Sequence, residues 1–342
     1  MECTMRTSQT AQTYTLFVGV DIAATTAAVS IQRAGAPASR SFTIDQTPEG
    51  HTKLMHQLQA TGHVPSRILV VMEATGSYWI SLATHLVHEG FVVSVINPAQ
   101  AHYFAKALLK RAKTDAIDAQ TLAQLAMVLQ PEPWRPPPPI YHALQQRLAQ
   151  RDDLLNLRQQ VDNQLHALRQ HPEVIPEVRA RMEHLLVIFE TQLAEVEAEI
   201  TAALRQDSAW AAAAQRLQSI IGVGWVTAAW TLVSTLNFTT CDTVEALTAY
   251  AGLAPMPRQS GTSVWYRPAI GHTGNSRLRT ALYRATLSAV QHNPIIKTFY
   301  GRLRAAGKPE KVARCAAARK LLHIAWALVK KDQAFDPRYA RG

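Results

Sequence analysis

Thr15-Leu-Phe-Val-Gly-Val-Asp21 and Ile68-Leu-Val-Val-Met-Glu73 decide how this chain is read. Each is a short apolar run, rich in Val, Ile or Leu, that closes on an acid, and each reads as a buried strand. A carboxylate at the end of a buried strand is costly unless something pairs with it. Two further acids stand in Lys113-Thr-Asp-Ala-Ile-Asp118. There Thr114 reads as the N-cap of a helix running from Asp115 to about Leu129, which puts Asp115 and Asp118 on one helix face. Either aspartate alone is explained by the helix dipole, which favours acids in the first turn. Four acids placed at strand ends and at one helix start point instead to a shared divalent cation, and so to phosphodiester chemistry. Mg2+ (or Mn2+) suits such a set, because it takes oxygen ligands and keeps waters for substrate phosphates.

Working outward, residues 14–130 read as an α/β domain. Thr15–Asp21, Ala27–Gln32 and Arg40–Ile44 suit an antiparallel meander with short links. A helix follows, with Thr47 as N-cap and Pro48 in its first turn. Then come strand Ile68–Met72, helix Ser77–His88, strand Phe91–Ile96 and a helix from Ala99. Three strands followed by alternating helix and strand is the ribonuclease H order. In that arrangement the acids ending strands 1 and 4 lie side by side at the centre of the sheet.

Pro131-Glu-Pro-Trp-Arg-Pro-Pro-Pro-Pro139 is a stiff, extended spacer between domains. Residues 140–206 carry apolar residues at helical spacing over Tyr141–Gln170 and Glu177–Gln206, split by His171-Pro172 and Pro176. This predicts an α-helical hairpin or coiled-coil connector suited to spacing and oligomerisation. Residues 207–332 read as a mainly α-helical domain, flanked by a tail at 333–342, as residues 1–13 form a polar tail at the other end. Ile220-Ile-Gly-Val-Gly224 reads equally as a helix–hairpin–helix turn, with Gly222 and Gly224 presenting N–H groups to a phosphate, or as a close-packed turn that binds nothing. Leu253–Asn275 is expected to be one long loop, a feature usually functional or disordered. Ser276 is expected to cap the next helix, which carries Arg277, Arg279 and Arg284. A last helix, about Glu310–Lys331, sets Lys311, Arg314, Arg319 and Lys320 against an apolar face.

With 342 residues and 47% hydrophobic content the chain is expected to form two or three folded domains. No apolar run approaches the ~18 residues of a membrane helix, and Met1–Thr13 lacks the apolar core of a signal peptide; the expectation is a cytoplasmic protein with no membrane partner. Cys3, Cys241 and Cys315 form no CxxC and no disulfide framework, and no HExxH motif is present, which argues against structural zinc. The net charge of +10 is uneven: residues 251–342 hold 17 Lys/Arg against three acids, while the rest of the chain is slightly acidic. A basic final quarter interleaved with Trp265, Tyr266, Tyr283, Phe299 and Tyr300 is the footprint of a nucleic-acid binder.

The chain resembles the DEDD transposases of the insertion sequence 110 family, related to the Piv DNA invertases. The resemblance rests on Gly19-Val-Asp21, Glu73-Ala-Thr-Gly-Ser-Tyr78, Val95-Ile-Asn-Pro98 and Lys113-Thr-Asp-Ala-Ile-Asp118. It continues through Ile221-Gly-Val-Gly224, Tyr250-Ala-Gly-Leu-Ala-Pro255, Gln259-Ser-Gly261, Gly274-Asn275 and Ala317-Ala-Arg-Lys-Leu321. It implies a RuvC-like (Holliday-junction-resolvase-like) N-terminal domain, a helical connector and a C-terminal transposase domain. The metal-binding and catalytic tetrad falls on Asp21, Glu73, Asp115 and Asp118, and a serine nucleophile on Ser260. It further implies a bridge RNA as guide, donor and target DNA as partners, and a tetramer built from dimers with active sites shared between subunits. The sequence departs from many relatives at Ile22-Ala-Ala-Thr25, where they carry a lysine soon after the aspartate.

From its local sequence alone Ser260 is a turn residue, with Thr262 and Ser263 as rivals; the resemblance raises it above them. Arg258 and Arg267 flank it and are placed to stabilise a phosphorane, and Lys320 joins the candidate phosphate contacts. Three functions compete: an RNA-guided transposase working through a serine-linked intermediate, a metal-dependent Holliday-junction-type endonuclease without one, and a noncatalytic scaffold. The complete set of acids argues against the third.

Overall fold

The computed structural model of the chain describes residues 13–109, 114–260, 264–271 and 273–338, with 257–260 and 264–268 described by their backbone. The chain divides into two compact units, residues 1–136 and 137–342.

The first unit is a mixed sheet covered on both faces. Strands β1 (Leu16–Ile22), β2 (Thr26–Arg33) and β3 (Phe42–Asp45) form the expected antiparallel meander. Helix α1 (Pro48–Gln59) follows, and Thr47 caps it by accepting from the Gly50 N–H. Next come β4 (Ile68–Glu73), α2 (Trp79–His88), β5 (Val92–Ile96), α3 (Pro98–Ala107) and α4 (Asp115–Leu129). The sheet order is β3-β2-β1-β4-β5, with β1, β4 and β5 mutually parallel. Because strand side chains alternate between faces, the sheet has two cores. Leu16, Val18, Val20, Ile68, Val70 and Met72 pack with Leu54, Leu58, Leu82 and Leu86 of α1 and α2. Phe17, Leu69 and Val71 pack on the other face with Leu122, Leu125 and Ala126 of α4. Burial on both faces explains why β1 and β4 read as continuous apolar runs rather than alternating ones.

The second unit opens with a helical hairpin, α5 (Pro139–Leu168) and α6 (Pro176–Gln206). Its ion pairs run in antiparallel register: Arg147–Glu199, Arg151–Glu197, Arg158–Glu190 and Arg169–Glu183. Leu144, Leu148, Val196 and Ile200, near the hairpin's base, belong to the same core as the helices that follow. Those are α7 (Ser208–Gln218), α8 (Trp225–Thr235) and α9 (Val244–Tyr250), then α10 (Ser276–His292), α11 (Pro294–Ala305) and α12 (Glu310–Lys331). The expected last helix matches α12, whose Ala317, Ala318, Leu321 and Leu322 are fully buried.

Two expectations are corrected. Leu253–Asn275 is not a continuous loop: it contains an antiparallel hairpin, β6 (Met256–Ser260) and β7 (Val264–Ala269). Its glycine, proline and serine content hid the strand-forming Val264-Trp265-Tyr266, and a two-stranded ribbon lacks the half-buried alternation by which strands are recognised. The cap of α10 is Asn275 rather than Ser276, because the Asn275 side chain accepts from the Leu278 N–H at 3.0 Å. Among the described residues no helix is long and apolar enough to cross a membrane.

Candidate active site

The strand-end acids meet because of register. Parallel β1 and β4 align Val20 with Met72, so one further step sets Asp21 beside Glu73. Both continue the face that carries Phe17, Leu69 and Val71, which is the face covered by α4. Helix α4 runs against β1, with Leu122 and Leu125 packed near Phe17 and its N-terminus toward the end where Asp21 stands. Gly19 permits that approach: a Cβ there would collide with the Ala119 carbonyl oxygen and the Ala123 nitrogen of α4. Its lack of a side chain thus brings the first turn of α4, with Asp115 and Asp118, to the Asp21–Glu73 end of the sheet.

That turn is held on both sides. Thr114 is the N-cap as expected: its hydroxyl accepts from the Ile117 N–H at 3.3 Å, and its carbonyl accepts from the Asp118 N–H at 2.9 Å. The Ser41 hydroxyl donates to the Ala116 carbonyl at 3.2 Å. The Glu73 carboxylate accepts from the Thr75 hydroxyl at 2.6 Å. Asp21, Glu73 and Asp118 are half-buried and Asp115 is exposed. Helix α3 starts on the same edge, where Asn97 follows β5 and accepts from the Ala99 N–H at 2.8 Å. Two helix N-termini thus face an edge rich in negative charge and offset part of the repulsion. The carboxyl ends of parallel strands are also where open α/β sheets place ligands.

The donors are all carboxylate oxygens, the chemistry a hard divalent cation takes. Among the described residues no three His, Cys, Asp or Glu side chains are gathered closely enough to enclose an ion. Strand register sets Asp21 and Glu73 side by side, and the first turn of α4 carries Asp115 and Asp118 toward the same end of the sheet.

Gln46 ties two of the loops at this end of the sheet together. Its amide N–H group reaches the Ala23 carbonyl at 3.5 Å and the Tyr78 carbonyl at 3.4 Å, lacing the turn after β1 to the loop after β4. Its carbonyl accepts from His51 Nε2 at 3.0 Å, so the His51 proton sits on Nε2. Burial, and then the neighbouring His85, push the His51 pKa below its ordinary value. A lone glutamine outside any motif carries no mark in the sequence that would reveal this role.

In the second unit Ser260 ends β6 and pairs with Val264, and Arg258 pairs with Tyr266. The side chains of Arg258, Ser260 and Arg267, and residues Thr262 and Ser263, lie outside the described residues. The base of this hairpin is built from two of the quoted motifs. Gly252 and Gly274 both have left-handed backbones, at φ +68° and +92°. A Cβ on Gly274 would lie 2.6 Å from the Gly252 nitrogen and 2.8 Å from the Tyr250 carbonyl oxygen. The Asn275 N–H donates to the Tyr250 carbonyl at 2.7 Å, and its side-chain amide meets the Tyr250 hydroxyl at 3.0 Å. Tyr250-Ala-Gly252 and Gly274-Asn275 thus form a clamped neck from which the hairpin projects.

The candidate nucleic-acid contacts divide. Arg279 belongs to the neck, donating to the Thr273 carbonyl at 2.9 Å and covering Gly252. Gly222, at φ +96°, packs against Ala289 of α10, where a Cβ would sit 2.7 Å from its methyl group, while Gly224 caps α8 and faces open space. Lys320 lies over the Phe299 ring, 4.8 Å from its centroid. Arg277 and Arg284 line one pocket.

Two family models match the chain, and both describe transposases. One, described as "Transposase", covers residues 18–171 and so all four acids; the other, "Transposase IS116/IS110/IS902 family", covers 214–301 and so the clamped neck and Ser260. The class is therefore that of a transposase. A "Pilin gene-inverting protein" of Moraxella bovis is 29% identical over 324 residues, which is 94% of this chain and 98% of that protein. A protein of the same name from Moraxella lacunata matches over the same length at the same identity. The "Insertion element IS110 uncharacterized 43.6 kDa protein" of Streptomyces coelicolor is 33% identical over 126 residues, 37% of this chain and 31% of that protein. The chain belongs to the IS110 family of transposases.

Proposed function

We propose that this transposase cuts and rejoins the DNA strands of an insertion sequence through a serine-linked 5′-phosphodiester, at a site built on a RuvC-like domain and guided by a bridge RNA. The observation that carries the reading is the alignment of Asp21 with Glu73 on one face of adjacent parallel strands, capped by the helix turn that bears Asp115 and Asp118. These four carboxylates would hold Mg2+ or Mn2+, which supplies charge neutralisation at a phosphate.

The residues of the chain do the rest. The Ser260 oxygen bonds the scissile phosphorus as the bond to the 3′ oxygen breaks. The serine proton passes to one of the four carboxylates, and the leaving 3′ oxygen takes up a proton. Attack by a different 3′-hydroxyl then reverses these steps, joins a new strand and restores the serine. Because the phosphodiester energy is kept, no ATP is needed.

Relatives spanning nearly the whole chain are named for inverting a gene, and inversion must rejoin every strand it cuts. That supports rejoining over simple hydrolysis. RNA guidance rests on the family resemblance and on the basic final quarter, which would meet RNA through shape and phosphate contacts. A dimer of dimers, in which the serine of one subunit serves the acids of another, completes the proposal. Exposed Leu157, Leu185, Val187 and Ile188 on the helical hairpin support an interface there.

The test is a denaturing gel of protein incubated with guide RNA, donor and target DNA and Mg2+, with wild type beside Ser260→Ala. The account expects protein-linked DNA in the wild type alone. Cleavage without adduct, equal in both, would make the chain a metal-dependent endonuclease instead.

A further inference from the structure

A pocket of about 280 Å3 lies between α5, α8 and α10, lined by Asp152, Thr227, Trp230, Arg277, Thr280 and Arg284 among others. The Arg277 guanidinium is fixed there in two ways. One nitrogen donates to the Asp152 carboxylate at 2.9 Å, and its carbon sits 4.9 Å from the centroid of the buried Trp230 ring. Even so, half of the Arg277 side chain is exposed. A guanidinium carries five N–H donors in a rigid fork, so an edge remains for a second acceptor. Arg284 follows two helical turns along α10, on the same face as Arg277 and Thr280, about 10 Å further by helical rise. The lining holds two arginines against one aspartate, together with Thr227 and Thr280, and Arg151 also approaches the Asp152 carboxylate, at 4.0 Å.

We propose that this pocket clamps the sugar-phosphate backbone of a nucleic-acid strand, with Arg277 as its pre-oriented bidentate contact and Arg284 as a second contact along the strand. The inference rests on the reading of the chain as a nucleic-acid enzyme and adds the place where a strand is held. An orienting partner and a stacked face reduce the entropy lost when arginine grips a phosphate. Contacts to phosphate oxygens position a strand and carry no sequence information directly, so the grip is expected on strands of mixed sequence. A plain α5–α10 staple would need Asp152 and Arg277, but not a second arginine or a cavity between them.

The test is equilibrium binding of the full chain to labelled single-stranded RNA and, separately, single-stranded DNA of mixed sequence, over a salt series. Thermal melts of every variant accompany it. Arg284→Ala should weaken binding about tenfold and lower the salt slope by about one. Arg277→Lys keeps a charge within reach of Asp152, so it should hold the slope yet lose about tenfold in affinity with the fork. Effects on RNA alone, DNA alone or both assign the strand that is held, and each supports the clamp. If both variants match a wild type that itself binds with steep salt dependence, the clamp is refuted while the enzyme reading stands. If the wild type binds neither nucleic acid, both fall.

Discussion

Gly19→Ala tests the contact on which the candidate active site depends. The added Cβ would point at α4 and lie 2.7 Å from the Leu122 carbonyl carbon, with the Ala119 oxygen and Ala123 nitrogen closer still. Carbon atoms sit comfortably at ~3.5 Å, so α4 must retreat from β1 by about 1 Å. The obstacle is helix backbone, which cannot swing aside as a flexible side chain can. Overpacking of this kind costs about 1–3 kcal/mol. For a unit of this size, that corresponds to a fall of roughly 5–10 °C in melting temperature. The functional loss should exceed the loss in stability. Moving the first turn of α4 carries Asp115 and Asp118 away from Asp21 and Glu73, and a displacement of about 1 Å in a catalytic array costs on the order of 100-fold in rate. The assay pairs a circular-dichroism melt with strand cleavage measured well below the melting temperature. A variant that melts within about a degree of wild type and cleaves at the wild-type rate would refute the claim that the Gly19 contact sets the place of the α4 acids.

Other outcomes follow from the same structure. Gly252→Ala and Gly274→Ala each force a Cβ onto a left-handed backbone and into the opposite side of the neck. Both should abolish covalent adduct formation and strand cleavage together, because the serine makes the cut, while the first unit keeps its wild-type melting temperature; adduct at wild-type yield would show that the hairpin needs no clamp. Asp118→Ala should abolish strand exchange and leave RNA binding within about twofold of wild type, because no RNA phosphate is assigned to the four acids; equal loss of both would mean a folding role. His51 has its folded pKa depressed below 6.5 by burial and by His85. The unfolded chain therefore binds the extra proton first, and stability drains away as pH falls below about 6.5 toward the folded value. His51→Gln should flatten the melting temperature of the first unit over that window, and an unchanged pH dependence would remove His51 as its source.

Much of the first unit was legible because burial leaves a local mark. Strands covered on both faces must be apolar throughout, so an acid at the end of one stands out, as Asp21 and Glu73 do. Thr47 and Thr114 announce helix starts because a capping hydroxyl is a local device. What was hidden depends on partners distant in sequence. Gly19 reads as an ordinary strand glycine until Ala119 and Ala123 lie against it. Gln46 acquires a role only where the loops after β1 and β4 meet. The hairpin β6–β7 was masked by its own turn residues, and its clamp couples Tyr250 and Gly252 to residues beyond it. Gly222 shows the limit most plainly. Its two readings had equal standing in the sequence, and only the proximity of Ala289 supplies a packing reason for a glycine there. Arg279, grouped by sequence with Arg277 and Arg284, spends its guanidinium on the neck.

The central claim is that a serine in the C-terminal unit becomes joined to the cleaved strand. The direct measurement is to trap the reaction, digest the protein and DNA, and map the modified residue by mass spectrometry. The account predicts a nucleotide phosphate on the peptide carrying Gln259-Ser-Gly261, with fragmentation placing it on Ser260. Modification at Thr262 or Ser263, or cleaved DNA with no modified peptide at all, would contradict it.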